Sequence, residues 1–137
     1  EEREQVKQHI ALYKQLRPTI QLGNFHRLLT PFAGTKNETA WEFISADGRQ
    51  VVLTYFKTLA EPASPVRILK LAGLEAEADY KITEYLPAQC TSVDGAGKPQ
   101  MQVKGQVYGG DELMHSGLTV EKIDTDFAAY LWVFNKI

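Results

Sequence analysis

Apolar residues recur every three or four positions at the start of the chain, and this spacing predicts one amphipathic helix from Glu2 to Leu16. Its apolar stripe has four members: Val6, Ile10, Tyr13 and Leu16. Acidic residues crowd the first turn and basic residues the last, an arrangement that the helix dipole favours. Pro18 has no backbone N–H and disfavours a helical conformation at Arg17, so we expect the helix to stop at or just before Arg17.

Beyond Pro18 the apolar positions alternate, and clusters of Gly, Pro, Asn and Asp interrupt them at short intervals. This pattern is typical of a succession of short antiparallel strands. The clearest strands are Thr39–Ser45 and Gln50–Lys57, which are separated by a turn that contains Asp47–Gly48. Asp-Gly between two β-rich segments indicates a hairpin, so we expect these two strands to pair.

The rest of the chain contains six further predicted strands. They are Thr19–Leu22, Phe25–Leu29, Arg67–Leu71, Tyr80–Tyr85, Met101–Tyr108 and Phe127–Phe134. Loops are predicted at Thr35–Glu38, Ala60–Pro65, Val93–Pro99 and Gly109–Asp126. About eight short strands without a second helix indicate an all-β fold: an antiparallel β-sandwich of Greek-key type, or a Greek-key barrel, preceded by one N-terminal α-helix.

The last predicted strand is apolar on both of its faces. Phe127, Ala129, Leu131 and Val133 alternate with Ala128, Tyr130, Trp132 and Phe134. A strand of this kind is buried on both sides or docks against another element.

The composition is that of an ordinary globular domain, because 44% of the 137 residues are apolar and 23% are charged. Fifteen basic and seventeen acidic residues are mixed along the chain and give a net charge of −2, so we expect no nucleic-acid partner. The longest apolar run, Phe127–Phe134, is far shorter than the ~20 residues of a membrane-spanning helix, and we expect no membrane partner. The one cysteine, Cys90, cannot form an internal disulfide, so the chain suits a reducing compartment or simply does not use disulfides. We expect a cytoplasmic protein.

Two local pairs of carboxylates are candidates for acid–base chemistry. Glycoside hydrolases use two carboxylates that are ~5 to 5.5 Å apart in retaining enzymes and ~6.5 to 9.5 Å apart in inverting ones. Asp111 and Glu112 are adjacent, and in an extended segment their side chains would point to opposite faces. Asp124 and Asp126 could share a face, but they lie in a polar turn, where solvent-exposed carboxylates are ordinary. We therefore assign neither pair to catalysis.

The other residues with reactive side chains are also not arranged in a motif. His9, His26 and His115 lack the spacing of metal ligands, and Ser45, Ser64, Ser92 and Ser116 lie outside any nucleophile motif. The glycines of YGGDELMHSG do not match the phosphate-binding loops, and no His-bearing motif accompanies Cys90, which we interpret as a small, partly buried apolar residue. We therefore assign no catalytic, cofactor-binding or metal-ligating residue, and we expect no cofactor.

Two tryptophans leave a binding function open, since aromatic rings can stack on sugars in carbohydrate-binding β-sandwiches. Trp41 and Trp132 both lie in the middle of predicted strands, among apolar neighbours. That position favours packing in the core. Burial of the two rings distinguishes the two interpretations.

Five segments, in order, resemble the C-terminal portion of the family 36 glycoside hydrolases, the bacterial α-galactosidases. The segments are Leu12–Phe32 (LYKQLRPTIQLGNFHRLLTPF), Asn37–Ser45 (NETAWEFIS), Val51–Pro62 (VVLTYFKTLAEP), Arg67–Leu74 (RILKLAGL) and Tyr108–Leu118 (YGGDELMHSGL). The resemblance extends from the helix to Leu131–Trp132, which is nearly the whole chain.

The resemblance implies a three-part enzyme of which this chain is the last part. The family has an N-terminal β-supersandwich, a central (β/α)8 catalytic barrel and a C-terminal antiparallel β-sandwich. Residues 1–17 would then be the last helix of the barrel and residues 18–137 the C-terminal domain. This agrees with a chain that lacks an initiator Met and opens inside a helix, which we expect to be a fragment of a longer protein.

The resemblance also implies a function for the intact enzyme and a role for this domain. The enzyme would remove terminal α-1,6-linked galactose from melibiose, raffinose or stachyose with retention of configuration, without a metal or an organic cofactor. The family's catalytic aspartates belong to the barrel, so this chain would be inactive alone. Its role would be to pack on the barrel and to support assembly into a homo-oligomer.

Two further interpretations remain open. The chain could instead be a carbohydrate-binding β-sandwich that directs its enzyme to a substrate. Alternatively, the loop Gly109–Asp126 could extend over the mouth of the barrel, so that Asp111 or His115 contacts the substrate.

Overall fold

The computed structural model describes residues 2–34, 36–63, 66–88, 104–120 and 126–137. They form two helices and eight strands: α1 (Glu2–Leu22), β1 (Asn24–Leu29), β2 (Glu38–Ile44), β3 (Gln50–Lys57), β4 (Arg67–Leu69), β5 (Asp79–Ala88), β6 (Val107–Gly109), α2 (Gly110–His115), β7 (Leu118–Val120) and β8 (Ala128–Lys136). Six strands form one antiparallel sheet in the order β1-β2-β3-β8-β5-β6, and β4 pairs with β7 in a second sheet. The predicted all-β fold of about eight strands with an N-terminal helix is confirmed.

The large sheet has a different covering on each face. The small sheet covers one face, which we call the inner face, where Leu69 of β4 and Leu118 of β7 share a core cluster with Leu53 and Trp132. Helix α1 packs on the other face, the outer face, through the contact of Leu16 with its core neighbours Val52 and Val133. The strands therefore form the middle layer of a sandwich with a helix on its outside.

Strand β8 is buried from both sides at the centre of the sheet. It pairs with β3 along one edge and with β5 along the other. Tyr130, Trp132 and Phe134 are buried on the inner face, and Val133 is buried on the outer face. The prediction that the last strand is covered on both faces is confirmed for this part of it.

Helix α1 is longer than predicted, since it continues through Pro18 to Leu22. The expectation of a helix end at Arg17 and of a strand at Thr19–Leu22 is therefore wrong. Pro18 lacks an N–H for the helical hydrogen bond, but tertiary contacts hold the helix on both sides of it. Leu16 and Thr19 are buried, and Thr19 Oγ1 donates a hydrogen bond of 2.6 Å to Gln50 Oε1.

Gly23 makes a tight junction between α1 and β1. Its N–H donates to the Thr19 carbonyl at 2.9 Å, and a Cβ atom at this position would lie 2.4 Å from the Ile44 carbonyl oxygen. Only glycine fits such a close approach of two backbones. The first strand of the sheet follows at Asn24.

The predicted hairpin is confirmed, with Ile44 opposite Val51 and Gly48 at a φ of 71° in its turn. The predicted loop Gly109–Asp126 is wrong in part, because it contains α2 and β7. The strand predicted at Met101–Tyr108 is also revised: β6 begins at Val107 and residues 101–103 lie outside the described residues, as does the predicted loop Val93–Pro99. Helix α2 has six residues, which is too short to show a helical period in the sequence.

The inner face contains a fully buried carboxylic acid, Glu42, which is 0% exposed. Glu42 Oε1 accepts a hydrogen bond of 2.8 Å from the N–H of Ala72, and Oε2 has no hydrogen-bond partner among the described residues. His26 lies directly opposite on β1, with its Nδ1 3.4 Å from Oε1. Burial raises the pKa of Glu42 to about 7, and the hydrogen bond from Ala72 opposes this only in part.

Glu42 makes the free energy of unfolding depend on pH. The pKa of Glu42 is raised from 4.5 to about 7 in the folded state. The contribution of Glu42 to the free energy of unfolding is therefore fully present below the pKa of the unfolded chain, 4.5, and is lost as the pH rises through the pKa of the folded protein, about 7. Glu42→Gln keeps an oxygen for the Ala72 N–H and does not titrate. We expect the wild-type protein to lose about 3 kcal/mol relative to this variant between about pH 5 and pH 8, measured by urea unfolding.

Glu77→Gln is the matched control, since Glu77 is exposed. The free energy of unfolding of this variant should depend on pH in the same way as that of the wild-type protein. Parallel pH profiles for the wild-type protein and Glu42→Gln would contradict the role of Glu42.

Candidate interaction faces

Helix α1 presents apolar side chains in two directions. Leu12, Leu16 and Ile20 recur every four residues and pack on the outer face of the sheet. Val6, Ile10 and Tyr13 face away from this contact and are 54%, 49% and 50% exposed. We call these three residues the free stripe. The stripe predicted from the sequence is thus divided, because only its fourth member, Leu16, packs on the sheet.

The outer face also carries an open apolar groove beside the N-terminal half of α1. The groove has a volume of about 270 Å³, and its lining includes His9 of α1, Phe56 of β3 and Leu131 of β8. Trp41 lies next to it and stacks on Phe56, with ring centroids 5.1 Å apart and an interplanar angle of 28°. Helix α1 therefore covers only part of the outer face, and aromatic and aliphatic side chains line the remainder.

The two tryptophans differ in burial. Trp132 is 1% exposed in the inner core, where it packs against Tyr130 at 5.6 Å. Trp41 is half-buried on the outer face, and Phe56 covers one face of its ring. A sugar-binding platform needs aromatic faces that are open to solvent. The burial of these two rings therefore favours packing inside the domain over sugar binding.

The predicted carboxylate pairs are not assembled as acid–base pairs in the described part of the chain. Asp111 and Glu112 lie in the first turn of α2 rather than in an extended segment, where Asp111 Oδ1 accepts a 2.8 Å hydrogen bond from the Glu112 N–H. Asp126 Oδ1 accepts a 2.6 Å hydrogen bond from the N–H of Ala60. Asp124 lies outside the described residues. The side chains of Asp111 and Asp126 thus hold local backbone in place.

The three histidines lie on three different elements. His9 is on α1, His26 is on β1 beside Glu42, and His115 is on α2, where its Nδ1 is 2.9 Å from the Asp111 carbonyl oxygen. Within the described residues, no group of three or more His, Cys, Asp and Glu side chains has the arrangement of a metal site.

The other reactive residues named from the sequence have structural contacts or lie outside the described residues. Ser45 Oγ donates to Asp47 Oδ1 at 2.6 Å in the β2–β3 turn, and Ser116 caps the C-terminus of α2. Ser64, Cys90 and Ser92 are outside the described residues. No helix in the described part of the chain is long and apolar enough to cross a membrane.

The sequence analysis did not identify a charged network that connects the two sheets. Arg67 of β4 forms an ion pair with Glu38 of β2, and the Tyr55 hydroxyl of β3 donates to the other oxygen of Glu38. Burial alone would raise the pKa of Glu38, but the hydrogen bonds from Arg67 and Tyr55 lower it below its usual value. Burial and the hydrogen bond to Glu38 raise the pKa of Tyr55. The sequence carries no spacing signal for this network, because its members come from three separate strands.

Comparison with known proteins identifies the family. Residues 38–134 match the model of the glycosyl hydrolase family 36 C-terminal domain. Over 131 residues the chain is 39% identical to the α-galactosidase AgaA of Geobacillus stearothermophilus, an alignment that covers 96% of this chain and 15% of that protein. It is 29% identical to the α-galactosidase Mel36A of Lactobacillus acidophilus, covering 100% of this chain and 16% of the relative.

Solved structures agree with these sequence matches. The crystal structure of AgaA superimposes with a TM-score of 0.78 at 37% identity, covering 99% of this chain and 16% of that one. The α-galactosidase of Lactobacillus brevis gives a TM-score of 0.74 at 28% identity, with coverage of 98% and 16%. The chain thus spans about 15% of the length of these relatives, and both its sequence and its fold match one part of them. We conclude that this chain belongs to glycosyl hydrolase family 36, as a C-terminal domain of that family.

Proposed function

We propose that this chain is the non-catalytic C-terminal domain of a retaining α-galactosidase, and that its role is to pack on the catalytic part of the same protein and to support its assembly. The family and the named relatives support this proposal, since they are α-galactosidases about six times as long as the chain. Crystal structures of AgaA variants contain raffinose or stachyose. We infer that the intact protein removes terminal α-1,6-linked galactose from oligosaccharides of this type.

The free stripe of α1 is the observation that carries the structural role. Val6, Ile10 and Tyr13 are each about half exposed, although α1 is packed along the sheet through its other apolar side. Burying a whole side chain of this size contributes about 1.5 to 3 kcal/mol, so covering the exposed half would contribute about 1 kcal/mol for each residue. A helix that joins two bodies has this arrangement, with one apolar side for each body.

The proposed chemistry places the reacting groups outside this domain. A retaining glycosidase needs two carboxyl groups about 5 to 5.5 Å apart, one as nucleophile and one as acid and base. Double displacement through a galactosyl-enzyme needs no metal or organic cofactor. In the proposed enzyme the catalytic barrel supplies both carboxyl groups, and residues 1–17, which form most of α1, belong to the last helix of that barrel. A cytoplasmic location is part of the proposal, supported by the single cysteine of the chain.

The first test is hydrolysis of p-nitrophenyl α-galactoside by the purified 137-residue chain, with the full-length enzyme as the positive control. We expect rapid release of p-nitrophenol by the full-length enzyme and none above background by the chain, because the proposed catalytic carboxylates are absent from it. Turnover by the chain alone would overturn the proposal, and Asp111, Glu112, Asp124 and Asp126 would be the first residues to replace.

A second test compares the two apolar sides of α1. In the isolated chain, Leu16→Ala should lower the free energy of unfolding by about 2 to 5 kcal/mol, because Leu16 is buried against the sheet. Ile10→Ala should lower it by less than about 0.5 kcal/mol, because Ile10 is half exposed there. In the full-length enzyme we expect both variants to lower the melting temperature of the domain.

The free stripe has the role proposed for it only if Ile10→Ala lowers the melting temperature of the domain in the full-length enzyme but leaves the free energy of unfolding of the isolated chain almost unchanged. Lys14→Ala is the matched control on an exposed position of the same helix. An Ile10→Ala variant that matches this control in the full-length enzyme would show that nothing packs on the free stripe.

A further inference from the structure

Three connecting segments meet at one end of the sandwich. They are the described residues of the loop after β1 (30–34 and 36–37), those of the loop after β3 (58–63 and 66) and the two residues before β8. The Phe127 N–H donates to the Thr58 carbonyl at 2.8 Å, and Asp126 accepts from the Ala60 N–H at 2.6 Å. Asn37 connects the other two segments, because its side chain bonds the N–H and the carbonyl of Leu59, each at 2.7 Å. We call this surface the loop end.

The loop end exposes large apolar side chains. The exposed fractions are 82% for Phe32, 68% for Phe127, 60% for Val66 and 53% for Leu59. Leu59 and Phe127 are nevertheless held in place by the backbone and side-chain hydrogen bonds described above, and the Phe32 N–H donates to Thr30 Oγ1 at 3.4 Å. Several apolar side chains on a fixed local framework are typical of an interaction surface.

Backbone strain is concentrated at the same place. Among the described residues, the non-glycine residues with positive φ are Lys36 at 57°, Ala63 at 54° and Phe127 at 55°, and all three lie in these segments. A bulky aromatic residue rarely adopts this conformation. Strained residues of this kind persist where the surrounding structure fixes them, and they cluster at sites of binding and function. Here Phe127 is held in that conformation with its ring exposed.

The loop end also contains a cavity, and Arg67 is one of the residues that line it. The cavity has a volume of about 360 Å³, and its lining includes Leu29, Ala33 and Arg67. Arg67 Nη2 is engaged by Glu38, whereas the buried Nε has no partner among the described residues.

Helix α1 approaches the sheet from the same end. Thr19 bonds Gln50 at one end of β3, and His9 lines the groove with Phe56 near the other end. At 1.5 Å per residue, the turns of α1 that precede His9 extend about 10 Å further in that direction. Phe127 stands just before β8 at the same end, since Phe56 is opposite Ala129. The loop end and the N-terminal half of α1 are therefore on the same side of the domain.

We propose that the loop end is a second surface, in addition to the free stripe, through which this domain docks on the catalytic part of the same polypeptide, with Phe32 and Phe127 as its apolar anchors. This inference rests on the proposed function and adds a surface that carries it out. Two observations favour this occupant over others. The chain spans only about 15% of its relatives, so most of such a protein lies outside it. In a C-terminal domain that remainder precedes α1, and the N-terminal half of α1 lies on the same side of the domain as the loop end.

The test uses the full-length enzyme with the double substitution Phe32→Ser and Phe127→Asn. Asparagine tolerates a positive φ, so Phe127→Asn removes the ring without adding backbone strain. The matched control is Leu22→Ser with Val107→Ser, which removes two exposed apolar side chains away from the loop end. We expect the anchor variant to unfold in a separate transition at lower temperature and to shorten the half-life at elevated temperature by about tenfold, as loss of buried anchors does. The control should keep the wild-type half-life.

The isolated chain distinguishes docking from a role inside the domain. There the anchor variant should unfold at the same urea concentration as the wild-type chain, because both rings are exposed. If the double variant unfolds the isolated chain, the loop end has an internal role and the docking proposal fails. Phe32→Ser alone, at a position without positive φ, repeats both measurements without any change at a strained residue.

Other occupants give different results. Sedimentation of the isolated chain as a dimer that the anchor variant dissociates, with no effect on the full-length enzyme, would identify a second copy and overturn the proposal. Binding of raffinose to the isolated chain that the anchor variant abolishes would identify a saccharide site and also overturn it. Failure of the unmodified full-length enzyme to hydrolyse p-nitrophenyl α-galactoside would reject the proposed function instead, because the docking readout is stability and not activity.

Discussion

The pairing of β3 with β8 is the constraint on which the rest of the domain depends. The two strands are far apart in the sequence but adjacent at the centre of the sheet, where each residue from Gln50 to Lys57 has a partner on β8. This pairing places Leu53 beside Trp132 on the inner face and Val52 beside Val133 on the outer face. The small sheet packs on the first set and α1 on the second. Both layers thus depend on one non-local ladder, a topology that slows folding because a long loop must close first.

The charged network of Glu38, Tyr55 and Arg67 supplements this apolar packing. It joins the small sheet to the large one, because Arg67 of β4 and Tyr55 of β3 both bind Glu38 of β2. Glu42 acts differently, because its only donor among the described residues is the backbone of Ala72, and burial keeps it protonated up to about neutral pH. One carboxyl group thus works as an ion and the other as a neutral acid, although the two lie four residues apart on the same strand.

The sequence predicted the elements whose signals are local. Alternation and an Asp-Gly turn were enough for the β2–β3 hairpin, and a double apolar face was enough for β8. The continuation of α1 past Pro18 could not be predicted, since it depends on contacts of Leu16 and Thr19 with strands that come later in the chain. Glu42 did leave a signal: it occupies an inner-face position between Ala40 and Ile44, where alternation calls for an apolar residue. The sequence showed that the residues of the free stripe belong to one apolar side of α1, but it did not show that they face away from the sheet.

The one-residue junction at Gly23 determines how this domain can be attached to anything that binds α1. The Gly23 N–H is bonded to the Thr19 carbonyl, and the backbone of Ile44 lies so close that a Cβ atom at this position would collide with it. Leu16 adds a second contact between the helix and the sheet, three residues before Thr19. A partner that binds α1 would therefore also set the orientation of the sheet, because the helix is joined to it at the junction and along its side.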